Sequence, residues 1–348
     1  MRPGFRITLA VLALAVTAGA VQLPESDVLA MFAPSRRAAI EAARPVVELV
    51  PVADVDVALI GAVRTTIDDE RLVAWYREVE LLQRGKYIPV IRRFSNPPVI
   101  EDLADLELDD EELDDLPDCR PGHCDLKMAA AEMQQITTAI KLAGDDWKPA
   151  AQAAFRQVIL GRARAHVAHG FAGALPYEDH RKPAIPAVEL DRLFNGSRIP
   201  GLCMQSVFDH LRQYPADRDR VETLLFWSKD TLGDLKPIVG ITQVSFVRGQ
   251  SPGEPTLIAS SQVYATHYMT ASLSVTAVAG TPDGAARYLV YARRSRADLF
   301  TGAFGGWLRR IAHKRVRAEG PGVLEGLRRR MEAGPPVIVQ TRAKGGIP

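Results

Sequence analysis

The tightest constraint on the fold lies in the C-terminal third. Residues 238–247, 256–265, 269–278 and 287–292 are rich in Val, Ile, Thr, Tyr and Ser. Turn chemistry separates these stretches, as in Ser251-Pro252-Gly253 and Thr281-Pro282-Asp283-Gly284. Short β-prone runs joined by such turns predict an antiparallel meander. The third run alternates, with Ala271, Leu273, Val275 and Ala277 on one side and Thr270, Ser272, Ser274 and Thr276 on the other. A period of two gives one apolar and one polar face. The apolar face needs a cover. The helix that follows is the candidate, because Phe300, Phe304, Trp307, Leu308 and Ile311 recur at helical spacing. Gly320-Pro321-Gly322 is expected to break that helix, which resumes over residues 323–331.

Upstream, residues 36–43 read as a short helix and 55–63 as a strand. Asp68 opens an amphipathic helix through Leu72, Trp75, Tyr76, Val79 and Leu82, which Gly85 ends, and residues 87–94 read as a second strand. Short amphipathic turns follow, then helices over 128–142 and 147–169 with stops at Gly144 and Gly170. Residues 176–186 are a loop, and Met204, Val207, Phe208 and Leu211 lie on a helix with Cys203. The expected fold class is α+β: an antiparallel meander sheet packed against a long C-terminal helix, with a helical insertion. The chain divides into a signal segment (1–20), an N-terminal segment (21–54), one α+β domain (55–333, its insertion at about 101–236) and a tail (334–348).

Export is expected from the N-terminus. Arg2 and Arg6 precede an apolar run of 14 residues from Ile7 to Ala20, and Ala18-Gly19-Ala20 suits signal cleavage. That run is shorter than the roughly 20 residues a spanning helix requires. In an oxidising compartment, Cys119 and Cys124 flanking Arg-Pro-Gly-His are expected to form a disulfide, leaving Cys203 buried and free. Asn195-Gly196-Ser197 fits a glycosylation sequon, which a simple turn also explains. Localisation is therefore read as periplasmic or extracellular.

Hydrophobic residues at 47% and charged residues at 24% describe a folded globular body. A net charge of +1 gives no global reason to expect a nucleic-acid partner. Charge is uneven locally: residues 101–118 hold eleven acidic and no basic side chains, and 300–332 hold eight Lys or Arg against three Glu. Each run reads first as a solvated face.

The strand and helix at 55–82, with the meander and terminal helix at 238–332, resemble the helix-grip fold of START-like lipid-transfer proteins. That resemblance implies a cavity between sheet and helix that takes an apolar ligand. The stretch from Cys119 to Lys127, with residues 94–103 and His267-Tyr268, resembles uncharacterised exported bacterial proteins carrying a C-R-P-G-x-C signature, and implies no function.

Catalytic signatures are scarce. The chain has no phosphate-binding Gly-rich loop, no G-x-S-x-G elbow and no H-E-x-x-H, and no cofactor is implied. His166 and His169 share a helix face, with His180 arriving after a short loop, so a zinc site on these three is one candidate. Two helical histidines near a C-terminus and a solvated loop explain the pattern more simply, since the spacing matches no compact zinc motif. Extending the alternation of the third strand backwards places His267 on its apolar face, with a corner or bulge expected nearby. His267 is then a core residue or, with Tyr264, Tyr268 and Trp307, a polar anchor of a ligand cavity. The basic residues of the terminal helix allow contact with an anionic membrane surface. Non-enzymatic binding of a hydrophobic or lipid-like small molecule is the leading reading. A metal-dependent hydrolase on His166, His169 and His180 and a membrane-surface protein are the alternatives.

Overall fold

The protein was analysed as a computed structural model, which describes residues 28–336 except 53–54, 195–201, 203, 232, 234, 251–252, 282–283 and 301–304. The expected signal segment, the 195–197 sequon, Cys203 and Phe304 lie outside the described residues.

Eight strands form one open antiparallel sheet: β1 (Val46–Val50), β2 (Asp56–Thr65), β3 (Val90–Arg93), β4 (Glu222–Asp230), β5 (Ile238–Val247), β6 (Leu257–Ala265), β7 (Met269–Gly280) and β8 (Arg287–Ala297). Their spatial order is β1-β2-β8-β7-β6-β5-β4-β3. The helices are α1 (Pro34–Glu41), α2 (Asp69–Arg77), α3 (Val79–Gln83), α4 (Asp110–Asp115), α5 (Ala130–Ala143), α6 (Trp147–His169), α7 (Pro186–Phe194), α8 (Met204–Gln213) and α9 (Gly305–Glu332). This is the expected α+β class, with the meander and the long terminal helix in place. Asp68 caps α2 by accepting from Arg71 N at 2.8 Å.

Two strands depart from the expectation. β4 lies in the stretch read as helical, and β1 lies before residue 55. Leu224, Leu225, Phe226 and Trp227 of β4 are all buried, Leu224 and Phe226 in one core cluster and Leu225 and Trp227 in the other. A strand buried on both faces reads as a continuous apolar run, so period two is invisible in its sequence. The expected strand at 87–94 shortens to β3, and α7 begins where the expected loop ends.

The terminal helix corrects a further expectation. α9 runs unbroken through Pro321. An interior proline costs a helix about 3 kcal/mol, and packing on both sides of it offsets that cost. A Cβ on Gly320 would lie 3.1 Å from Val47 Cγ1, so glycine lets the helix approach β1 closely. Leu324 lies against Gly61 of β2, where a Cβ would meet its Cδ2 at 3.1 Å. Tyr87 donates to Glu319 at 2.7 Å, and Glu332 accepts from Thr65 Oγ1 at 2.9 Å.

The sheet is covered on both faces. Its back face, with Ala271, Leu273, Val275 and Ala277, joins the larger core with Phe155, Ile159, Leu193 and Phe208 from α6, α7 and α8. Its front face packs Val63, Phe226, Val244, Ile258 and Leu289 against Leu72, Tyr76 and Leu82 of α2 and α3 and Leu324 and Met331 of α9. The expected cover is thereby reversed: the intervening helices bury the apolar face of β7, and α9 lies over the hydroxyl-bearing face.

Candidate functional site

A cavity of about 930 Å³ opens between the front of the sheet and the N-terminal half of α9. Helix α9 seats its C-terminal half, where Leu324 and Met331 are buried, and holds its N-terminal half off the strands. Trp307, Leu308 and Ile311 line the roof, yet Trp307 stays 57% and Ile311 45% exposed, so neither is packed down onto the sheet. Alternate residues of the central strands form the floor, including Thr242 of β5, Ser260 and Gln262 of β6, Ser272 and Ser274 of β7 and Ser295 of β8. Period-two alternation aligns these polar groups on one face. An apolar enclosure with a few convergent polar groups, in the 300–1,000 Å³ range, is the ordinary form of a small-molecule site.

The floor is organised. Ser272 and Ser295 hydroxyls lie 2.8 Å apart, and Arg293 Nε donates to both, at 3.2 Å and 3.0 Å. Tyr76 closes one side through its hydroxyl, 2.7 Å from Thr276 Oγ1, and burial pushes that phenol well above its usual range. Asp230 also lines the cavity; burial raises its carboxyl pKa, offset in part by Ser228 and Arg293.

Trp307 and Tyr268 line this cavity. Tyr268 occupies the β6–β7 corner at φ 61°, and its hydroxyl accepts from Lys236 N at 3.0 Å. Tyr264 borders the cavity too, but its side chain is fully buried, with the Arg162 guanidinium 4.4 Å from the ring centroid. His267 is outside the lining. It is buried in the expected corner, with Nε2 3.0 Å from Glu112 Oε1, so its partner comes from the acidic segment and not from the cavity.

The expected zinc set does not assemble. His166 is buried against Gln243 and stacks on Tyr214 at 5.3 Å, whereas His169 and His180 are exposed on other surfaces. Helical spacing aligns His166 and His169 only loosely, and one faces the core while the other faces out. Among the described residues, the three-ligand cluster with suitable geometry is Asp179, His180 and Asp298. Lys127 already occupies it as a cation, with Nζ 3.6 Å from Asp179 and in contact with Asp298.

A second constellation was not anticipated. His210 Nδ1 lies 2.7 Å from Asp217 Oδ2, and its Nε2 lies 2.9 Å from Ser245 Oγ. These contacts match an acid-base-nucleophile relay. Ser245 is fully buried on the back face, however, and also accepts from Gln243 at 2.9 Å. It offers no exposed surface to a substrate, so the network acts as a buried polar core in which Asp217 Oδ1 is left without a partner among the described residues.

The loop between Cys119 and Cys124 is closed by a disulfide with Cα atoms 4.4 Å apart. Gly122 supplies the left-handed residue of its turn at φ 79° and donates to Glu178 O at 2.7 Å, docking the ring on the 176–186 loop. No helix among the described residues is long and apolar enough to cross a membrane. No protein-family model matches the chain, and a comparison with curated proteins finds no relative.

The floor residues Arg293, Ser295, Ser272 and Asp230 escaped sequence reading. Their signal was present as polar residues recurring at period two in neighbouring strands, but alternation alone assigns such residues to solvent.

Proposed function

We propose that this is an exported protein that binds or carries a hydrophobic, lipid-like small molecule between its sheet and its terminal helix. The carrying observation is the cavity of about 930 Å³ under half-exposed Trp307 and Ile311. Large apolar side chains left unpacked over an enclosed space are costly in water, and an apolar occupant removes that cost at roughly 25 cal/mol per Å² buried. The long helix laid over an antiparallel sheet agrees with the START-like resemblance. Arg310, Lys314 and Arg317 near the same half of α9 suit docking of the cavity mouth on an anionic membrane.

Native mass spectrometry and solvent extraction of the untagged protein test this. A co-purifying amphiphile at near one per chain is expected. An empty protein that also takes up no Nile red would refute the reading.

A further inference from the structure

The cavity floor holds a cation, Arg293, that makes no ion pair among the described residues and whose charge acts on the buried Asp230 in the same lining. Strand β8 carries Arg293, Arg294 and Arg296 within four positions. Arg294 and Arg296 face the back of the sheet, where both meet the buried Asp56, at 2.7 Å and 3.3 Å, and Arg296 also meets Glu189 at 2.6 Å. Arg293 faces the cavity. Among the described residues no carboxylate forms an ion pair with it; its recorded hydrogen bonds are those of Nε to Ser272 and Ser295.

Those two bonds fix the guanidinium plane by one edge. Among the described residues neither terminal nitrogen meets an acceptor, and the pair presents the fork geometry that matches a carboxylate or phosphate bidentately. The hydroxyls of Ser272 and Ser274 lie on the same floor and supply further donors. Above them α9 contributes Trp307, Leu308, Ile311 and Val316 together with Lys314, Arg315 and Glu319, so the lining offers hydrocarbon contact as well as charge.

Resting on the carrier reading above, we infer that the ligand is an amphiphile with a single anionic head of the carboxylate class. Its head group sits on Arg293, Ser272 and Ser295 and its chain runs beneath Trp307 and Ile311. Asp230 and Glu319 are the carboxyl groups in the lining that could oppose such a head, and Glu319 is engaged by Tyr87 at 2.7 Å and Arg315 at 3.4 Å. Burial raises the Asp230 pKa, which weakens its opposition to an anion, while Ser228 and the neighbouring Arg293 act against that rise.

The test is Nile red displacement from the full-length protein by laurate and by dodecanol, which share a chain and differ in head charge. Laurate is expected to bind at least tenfold more tightly, a tenfold ratio being 1.4 kcal/mol. Arg293→Gln should abolish that preference by weakening laurate alone. Equal affinity for both, unchanged in Arg293→Gln, overturns the head-group assignment and leaves the carrier reading standing. Displacement by neither overturns the head-group assignment, and an empty protein that takes up no Nile red overturns both. Thermal midpoints separate a folding defect from a binding one, and Arg293→Lys, which keeps charge but loses the fork, should retain part of the preference.

Discussion

His267 and Glu112 form a contact that joins the β6–β7 corner to the acidic segment, with both side chains buried. Glu112 also accepts from Asp109 N at 3.1 Å, so the same carboxylate caps α4. His267→Ala leaves a buried carboxylate short of a partner, a loss of about 2–3 kcal/mol. The denaturant midpoint should fall accordingly while lipid retention by the folded protein stays unchanged. Lost retention at unaltered stability would return His267 to the ligand site. His166 offers a pH-dependent counterpart. Burial lowers its pKa to about 4, opposed by its bond to Gln243. Below pH 6.5 the unfolded chain takes up the proton first, so the stability due to neutral His166 is complete above pH 6.5 and is lost as pH falls towards 4. The limit is about 3 kcal/mol. Denaturant midpoints at pH 7 and pH 5 should therefore differ more for wild type than for His166→Gln.

Helix α9 is held against β1 and β2 by close approach, and Gly61 is central to it. A Cβ there would sit 3.1 Å from both Leu324 Cδ2 and Val47 Cγ2. Gly61→Leu should cost about 1–3 kcal/mol by overpacking this seam, measured by chemical denaturation. A neutral result would mean the helix is not seated there. The elements legible in the sequence were those bracketed by turn residues or carrying a clear period: β5 to β7, though buried, are separated by turns, β7 alternates small apolar and hydroxyl residues, and α5 and α6 end at Gly144 and Gly170, so their boundaries lie close to the expected ones. β4 was hidden by burial on both faces, and β1 by its five-residue length just after Pro45. Pro321 misled because local propensity predicts a break that tertiary contacts override. At the site, Trp307 and Tyr268 were legible as large side chains bordering the meander. Arg293 was not, because its partners Ser272 and Ser295 are set by the pairing of β7 with β8, and one of three near-adjacent arginines carries no mark in the sequence of facing a cavity.

Charge is organised across the whole molecule. The acidic stretch is tied into the body by Arg92 to Asp105, Lys148 to Asp114, Lys229 to Asp109 and Lys236 to Asp115. It is thus a pinned surface and not only a solvated one. The layer containing α5 to α8 buries the apolar side of the sheet and frees the hydroxyl side to form a cavity floor under α9. The proposed ligand lies in that space, so filling it is the decisive intervention. Gly240 of β5 lines the floor, and a Cβ there would meet only Tyr264 O, at an ordinary 3.5 Å. Gly240→Phe can therefore project its ring into the cavity without distorting the strand. The measurement is co-purified amphiphile per chain, by native mass spectrometry, for wild type and Gly240→Phe of matched thermal midpoint. At least a tenfold loss of occupancy is predicted, and undiminished occupancy in the folded variant would contradict a ligand site between the sheet and α9.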